Sequence, residues 1–285
     1  MPGGPVAIKR DRGRKSAPLR RGGADAILCG MDLDFTETEI ARYSRHILLR
    51  EVGGTGQARL RAASVLIVGA GGLGSPAALY LAAAGVGRIS IVDDDVLELY
   101  NLQRQIAHGV AFLGAPKVES AAAAMRGLNP EVSVNPVRAR LDADNVGALV
   151  AAHDIVLDGT DNFATRFLVA DACVAARRTL VSAAVLRFEG QLSTFKPHAG
   201  PDCPCYRCLY PEAPPAGMVP TCSEAGVLGP VTGVMGTLQA TEAMKEILGI
   251  GTSLAGRLLL WDALDTRFRT IAIPRVHDCA ACAGV

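Results

Sequence analysis

The chain has 285 residues, 49% of them hydrophobic and 20% charged, with 31 glycines; this is enough apolar chain to bury the core of one large α/β domain or two small ones, and it excludes disorder and a collagen-like repeat. The net charge is +1, but residues 1–30 hold seven Lys/Arg against two Asp, giving that segment +5 and leaving −4 on residues 31–285. A mildly acidic body argues against a nucleic-acid surface, and no apolar run approaches the roughly 18–20 residues of a membrane span.

The basic segment 1–30 reads as a nucleic-acid arm, a transit peptide or a solvated extension ending at Met31. Apolar periodicity starts only beyond Met31, which favours the last. Ala26-Ile27-Leu28-Cys29 is too short for the apolar core of a secretory signal. A cytoplasmic location is therefore expected, where eight cysteines serve metal binding or chemistry rather than disulfides.

Residues 36–50 open with a capping box, Thr36-x-x-Glu39, and set Ile40, Tyr43, Ile47 and Leu48 at helical spacing. Gly53-Gly54-Thr55-Gly56 reads as a break before a second helical stretch ending near Ala63. Val65-Leu66-Ile67-Val68 is an uninterrupted apolar run, as a buried parallel strand requires. Helices are then expected at 74–84, 116–128, 142–151 and 162–177, alternating with strands at 88–93, 132–138, 154–158 and 179–183. Such alternation predicts a doubly wound, Rossmann-like, mostly parallel sheet. Beyond residue 183 the expectation is a mixed extension: strand-like runs over 184–195, a Cys/Pro-rich stretch over 201–222, a long helix over 230–248, and strands at 258–261 and 268–273. No linker or repeat divides residues 31–285, so they are expected to form a single unit, with N-terminal helices over 31–63 and a nucleotide-binding half over 64–183.

Gly69-Ala70-Gly71-Gly72-Leu73-Gly74 follows the first strand and opens a helix, and Asp93 ends the next strand nineteen residues beyond Gly74. In that context glycines let backbone approach phosphates, the helix N-terminus supplies donors, and the carboxylate suits ribose hydroxyls. The competing reading is a tight turn without a ligand. Asp93-Asp94-Asp95, Asn101-Leu102-Gln103-Arg104-Gln105 and Pro116-Lys117 then add phosphate-handling groups that a dehydrogenase does not need: Arg as a planar fork, Lys as a mobile charge, carboxylates for ribose or Mg²⁺. Singly, Arg104 and Lys117 read as plain surface charges. Leu157-Asp158-Gly159-Thr160-Asp161-Asn162 puts polar groups at the carboxyl end of a further strand, with Asp158 or Asp161 also readable as a helix cap. Cys205-x-x-Cys208 and Cys279-x-x-Cys282 are two knuckles of the kind that make tetrahedral thiolate sites, and their separation requires the fold to unite them. Cys203 is an extra thiol beside the first knuckle.

These motifs, with Arg42-Tyr43-Ser44-Arg45 and Thr221-Cys222-x-Glu224-Ala225-Gly226, resemble the MoeB/ThiF/HesA family of ubiquitin-activating-enzyme-like adenylyltransferases over residues 36–285. The resemblance implies ATP and Mg²⁺, a closed structural zinc on Cys205, Cys208, Cys279 and Cys282, and transfer of AMP to the C-terminal glycine carboxylate of a small ubiquitin-like sulfur carrier ending in Gly-Gly, with release of pyrophosphate. It makes residues 184–285 the zinc-bearing and carrier-binding half. It places the nucleotide on Gly69, Gly71, Gly72, Gly74, Asp93, Asp95, Asn101, Leu102, Gln103, Arg104, Lys117, Asp161 and Asn162, with Arg104, Lys117 and Asp161 also acting in catalysis. Arg45 resembles an arginine lent across a homodimer interface to the neighbouring ATP, and Cys222 stands where some relatives form a thioester or persulfide. An ionised carboxylate needs no base, so the barrier is repulsion between two anions, which fixed cations relieve. The favoured carrier is the small subunit of molybdopterin synthase, in molybdenum-cofactor synthesis; thiamine-pathway or tRNA-thiolation carriers are the alternatives, and sulfur is expected from a separate donor protein. An NAD-dependent dehydrogenase and a non-catalytic binder of ubiquitin-like proteins are the readings from other classes.

Overall fold

A computed structural model describes residues 34–215, 218 and 222–285, without the side chains of Cys222 and Ser223; the basic segment 1–30 lies outside the described residues. In chain order the elements are α1 (Glu37–Ile47), α2 (Gly53–Ala62), β1 (Ser64–Val68), α3 (Gly74–Ala83), β2 (Arg88–Val92), α4 (Lys117–Leu128), β3 (Ser133–Val137), α5 (Val146–Ala151), β4 (Ile155–Asp158), α6 (Phe163–Ala175), β5 (Thr179–Leu186), β6 (Glu189–Phe195), α7 (Tyr206–Leu209), α8 (Cys222–Ala225), α9 (Gly229–Leu248), β7 (Arg257–Asp262) and β8 (Arg267–Ala272).

The strands form one sheet in the order β3-β2-β1-β4-β5-β6-β7-β8, parallel from β3 to β5 and antiparallel from there on. This is the expected doubly wound sheet with its mixed extension. Its period-2 geometry explains the apolar run of β1. Val65 and Ile67 point into a core with α2, α3, α4 and α9, while Leu66 and Val68 point into a second core with α5, α6 and α7. Pro136 is tolerated in β3 because that strand is the sheet edge.

The order reverses between β1 and β4, and the register aligns Val68 with Val92 on one side and with Asp158 on the other. Gly69, Asp93 and Gly159 therefore start their loops side by side, at the carboxyl edge where open α/β sheets hold ligands.

Four sequence expectations change. The first helix stops at Ile47, and Gly53-Gly54-Thr55-Gly56 opens α2 instead of breaking the chain. Close packing of Gly56 on Leu248 of α9 outweighs the low helix propensity of glycine. The runs at 179–183 and 184–195 are one hairpin, in which β5 continues to Leu186 and β6 returns antiparallel. Residues 142–145 form a turn held by Asp142, whose Oδ1 accepts the Asp144 and Asn145 N–H groups, so α5 starts only at Val146.

Candidate active site

At the reversal point lies a cavity of about 790 Å³, lined by the glycine loop, Asp93, Asp95, Arg104, Lys117, Asp161 and Asn162, and continuing along β5–β7. The loop is built by close approach. A Cβ on Gly74 would lie 1.8 Å from the Gly69 carbonyl oxygen, and Gly69 itself has φ +95 with Gly159 backbone against it. The Ala70 peptide between them is held at both ends: Asp93 Oδ2 accepts its N–H at 2.7 Å, and His108 Nε2 lies 2.8 Å from its carbonyl oxygen. Asp93 Oδ1 also accepts the Asp95 N–H at 2.9 Å. Burial raises the Asp93 carboxyl above the usual carboxylate range against the pull of those N–H groups, and burial lowers His108. A neutral His108 that donates from Nε2 fits this geometry.

Lys117 is the first residue of α4 and is buried. Its Nζ donates to Asp95 Oδ2 at 2.7 Å, and its backbone N–H donates to the Asp95 carbonyl, so one residue fixes both ends of the lysine. Arg104 Nη1 donates to the Tyr100 carbonyl at 3.2 Å. The turn carrying Arg104 and Gln105 is set by Asn101, whose buried Oδ1 accepts the Glu98 N–H and whose carbonyl accepts both the Arg104 and Gln105 N–H groups. Asn101, Leu102, Gln103 and Gly74 do not line the cavity, whereas Gln105 does. Asn101 and Gly74 shape its walls from behind.

The Asp158–Asn162 turn divides its polar groups by job. Asp158 is buried, and its oxygens accept the Thr160 N–H, the Thr160 hydroxyl and the Ser182 hydroxyl at 2.7–3.0 Å. Asn162 caps α6 by accepting the Thr165 N–H at 2.9 Å. Neither aspartate caps the helix, and Asp161 is left exposed on the cavity wall. Asp93, Asp94 and Asp95 can bring one carboxylate oxygen each within 4.8 Å of the others, a hard-oxygen set suited to Mg²⁺.

Arg45 lies elsewhere. It is exposed on α1, whose Tyr43 packs on Gly85 and accepts from Asn129 Nδ2, and whose Arg42 donates to the Leu128 carbonyl. Those anchors precede β2 and β3, so α1 sits at the amino edge of the sheet, opposite the cavity. Cys222 begins α8. The cavity is also lined by Arg140, Arg166 and Tyr206, which the sequence reading did not assign to the site. Arg166 had a legible signal, since it lies four residues beyond the Asn162 cap, one turn along the same helix face.

The two knuckles meet. Cys205 Sγ lies 3.8 Å from Cys208 Sγ and 3.6 Å from Cys279 Sγ, and Cys208 Sγ lies 3.6 Å from Cys282 Sγ. Four thiolates at about 2.3 Å from one zinc ion stand about 3.8 Å apart, so the residues present fit that ion with all four positions filled. Cys203 is not among them. Arg275 ties this corner together by donating to the carbonyls of Pro197, Gly200, Cys282 and Val285.

With that geometry in hand, three similarities stand out. The SAMP-activating enzyme E1 of Haloferax volcanii is 53% identical over 252 residues, covering 88% of this chain and 92% of that protein. The adenylyltransferase and sulfurtransferase MOCS3 of Bos taurus is 55% identical over 245 residues, which span 86% of this chain and just over half, 53%, of that longer protein. Among solved structures, E. coli MccB in complex with MccA-N7isoASN shares the fold at a TM-score of 0.74 and 21% identity, over 88% of this chain and 76% of that one. The ThiF family model matches residues 43–281, and the chain belongs to the ThiF family.

Proposed function

We propose that this chain is an ATP-dependent adenylyltransferase that joins AMP to the C-terminal carboxylate of a ubiquitin-like sulfur-carrier protein and releases pyrophosphate. The observation that carries this reading is one cavity in which a glycine loop faces Arg104 and Lys117, with no Cys, His or Ser among its described lining residues. That set suits a reaction whose nucleophile arrives already ionised. A carboxylate oxygen bonds to the α-phosphorus, the bond from that phosphorus to the bridging oxygen breaks, and pyrophosphate leaves with the electron pair. The glycine loop receives phosphate oxygens, Asp93 faces the ribose, and Arg104 and Lys117 hold the negative charge that develops. Mg²⁺ held by Asp161 would neutralise phosphate charge.

Within this chemistry the favoured carrier is the small subunit of molybdopterin synthase. A second reading places a carrier of another pathway, from thiamine synthesis or tRNA thiolation, on the same site. A homodimer completes the site in either case. Arg45 faces away from its own cavity, and Val96, Leu99, Tyr100, Ile106, Val110 and Leu113 form an exposed apolar run that suits a second copy. The reading is tested by mass spectrometry of the carrier after incubation with ATP and this protein. A gain of one AMP moiety at an intact C-terminus supports it, and an unmodified carrier at every carrier tried contradicts it. Mixing Arg45→Ala with Lys117→Ala protein tests the dimer: recovery of activity that neither variant has alone is expected, and no recovery removes Arg45 from the site.

A further inference from the structure

The cavity contains a cation for which the nucleotide has no evident use. Arg166 lines the main cavity and also a small one of about 20 Å³ between α6, α7 and the β5–β6 hairpin. Its Nη2 donates to the Thr160 carbonyl, which anchors the guanidinium beside the Asp161 turn. None of the ion pairs among the described residues includes it. The nearby Asp158 carboxylate is already occupied by Thr160 and Ser182.

Beside it stands a second unsatisfied group. Tyr206 lines the same two cavities, is 3% exposed, and has a buried hydroxyl that lies beside the Arg166 guanidinium and finds no acceptor for its proton. Its ring is fixed edge-on between Phe167 and Phe195, so the hydroxyl cannot swing out to water. Leaving a buried O–H unpaired costs stability, which native structures rarely accept without a reason. Tyr206 also directly follows Cys205, so the knuckle that gathers the four cysteines holds this ring in place.

A half-buried guanidinium without a counter-ion and a buried hydroxyl without an acceptor together make a donor set for one planar anion. They stand on the α6–α7 side of the cavity, across from the Arg104 and Lys117 side, where it passes into the lobe lined by Ala184, Gln191, Tyr210 and Leu260. We propose that Arg166 and Tyr206 seat the terminal carboxylate of the protein substrate and aim one of its oxygens at the α-phosphorus. This assignment rests on the adenylation reading. Arg166 and Tyr206 hold the carboxylate as an anion, and no proton moves.

The test uses the full chain with zinc and the carrier that supports ATP-pyrophosphate exchange in the wild type, chosen among the molybdopterin-synthase small subunit, the thiamine sulfur carrier and a tRNA-thiolation carrier. Each is prepared with a free C-terminus and as a C-terminal amide. Wild-type protein is expected to bind the acid in preference to the amide. Arg166→Gln should lower kcat/KM for the carrier on the order of 100-fold with ATP affinity unchanged, and Arg166→Lys should restore part of the loss. Tyr206→Phe should reduce the preference for the acid roughly 10-fold while Tm stays level or rises, because it removes an unpaired buried hydroxyl. Undiminished preference for the acid in both Arg166→Gln and Tyr206→Phe would overturn the assignment, as would a fall in Tm and ATP affinity that parallels the loss of carrier binding in Tyr206→Phe. Absence of exchange by the wild type with any of the three carriers would instead overturn the adenylation reading, and this inference with it.

Discussion

Asp93 Oδ2 accepts the Ala70 N–H at 2.7 Å, so the residue just past β2 also sets the first turn of the glycine loop. Its other oxygen holds the Asp95 N–H, and Asp95 in turn holds Lys117. Asp93→Ala is therefore expected to do two things at once: lower unfolding free energy by about 1–3 kcal/mol through two lost charge-assisted hydrogen bonds, and weaken ATP binding by loosening both the loop and the lysine. Thermal unfolding and ATP titration measure the two effects. An unchanged ATP affinity would detach Asp93 from the nucleotide site.

Asp161 and Asn162 are neighbours with separable roles. Asn162→Ala removes the α6 cap and should cost about 1 kcal/mol of stability. Asp161→Ala removes an exposed cavity carboxylate and should abolish pyrophosphate release with Tm unchanged. Full turnover by Asp161→Ala would remove its assigned part in the reaction.

His153 gives the fold an acid limit. It is buried, its Nδ1 lies 2.7 Å from the Leu149 carbonyl and its Nε2 lies 2.8 Å from the Ser90 hydroxyl, a pattern that suits the neutral ring. Burial lowers its pKa, and burial lowers His108 and His198 as well. Since the unfolded chain then binds more protons than the folded one, stability is full above the ordinary histidine value of about 6.5 and falls as pH drops below it. Tm measured across that range should decline toward acid, and the decline should be shallower in His153→Gln. An equal slope in both proteins would assign the effect to other groups.

The four-cysteine cluster separates its members from their neighbour. Replacing Cys279 and Cys282 with Ser should lower zinc content and Tm together, whereas Cys203→Ser should change neither. Stoichiometric zinc in the double variant would show that the ligand set is different. Because α7 carries Cys208 and Tyr206 on a single turn, chelation should also weaken carrier binding.

What the sequence made legible was local or strongly periodic. The apolar run of β1, the Gly69–Gly74 loop, the Thr36 cap and the cysteine knuckles each declare themselves within a few residues, and all four stand where expected. The rest depends on contacts between distant segments. The Gly53–Gly56 run joins a helix because Leu248 packs on it from 192 positions away; His108 supports Ala70 from 38 positions away; and Gln239 donates to the Asp158 and Val181 carbonyls from α9. Asn101 and Asn162 belong to site motifs by type, yet one braces a turn and the other caps a helix. Residue type named the chemistry, and only the fold separated the groups that face the cavity from those that hold its walls.

Adenylation of a carrier carboxylate is read by ATP-pyrophosphate exchange. Purified protein is offered the molybdopterin-synthase small subunit, the thiamine sulfur carrier, a tRNA-thiolation carrier, and each of these without its terminal glycine. Exchange is expected to require one intact carrier and to be lost with its truncated form. Tight ATP binding with no exchange in any arm would contradict adenylation.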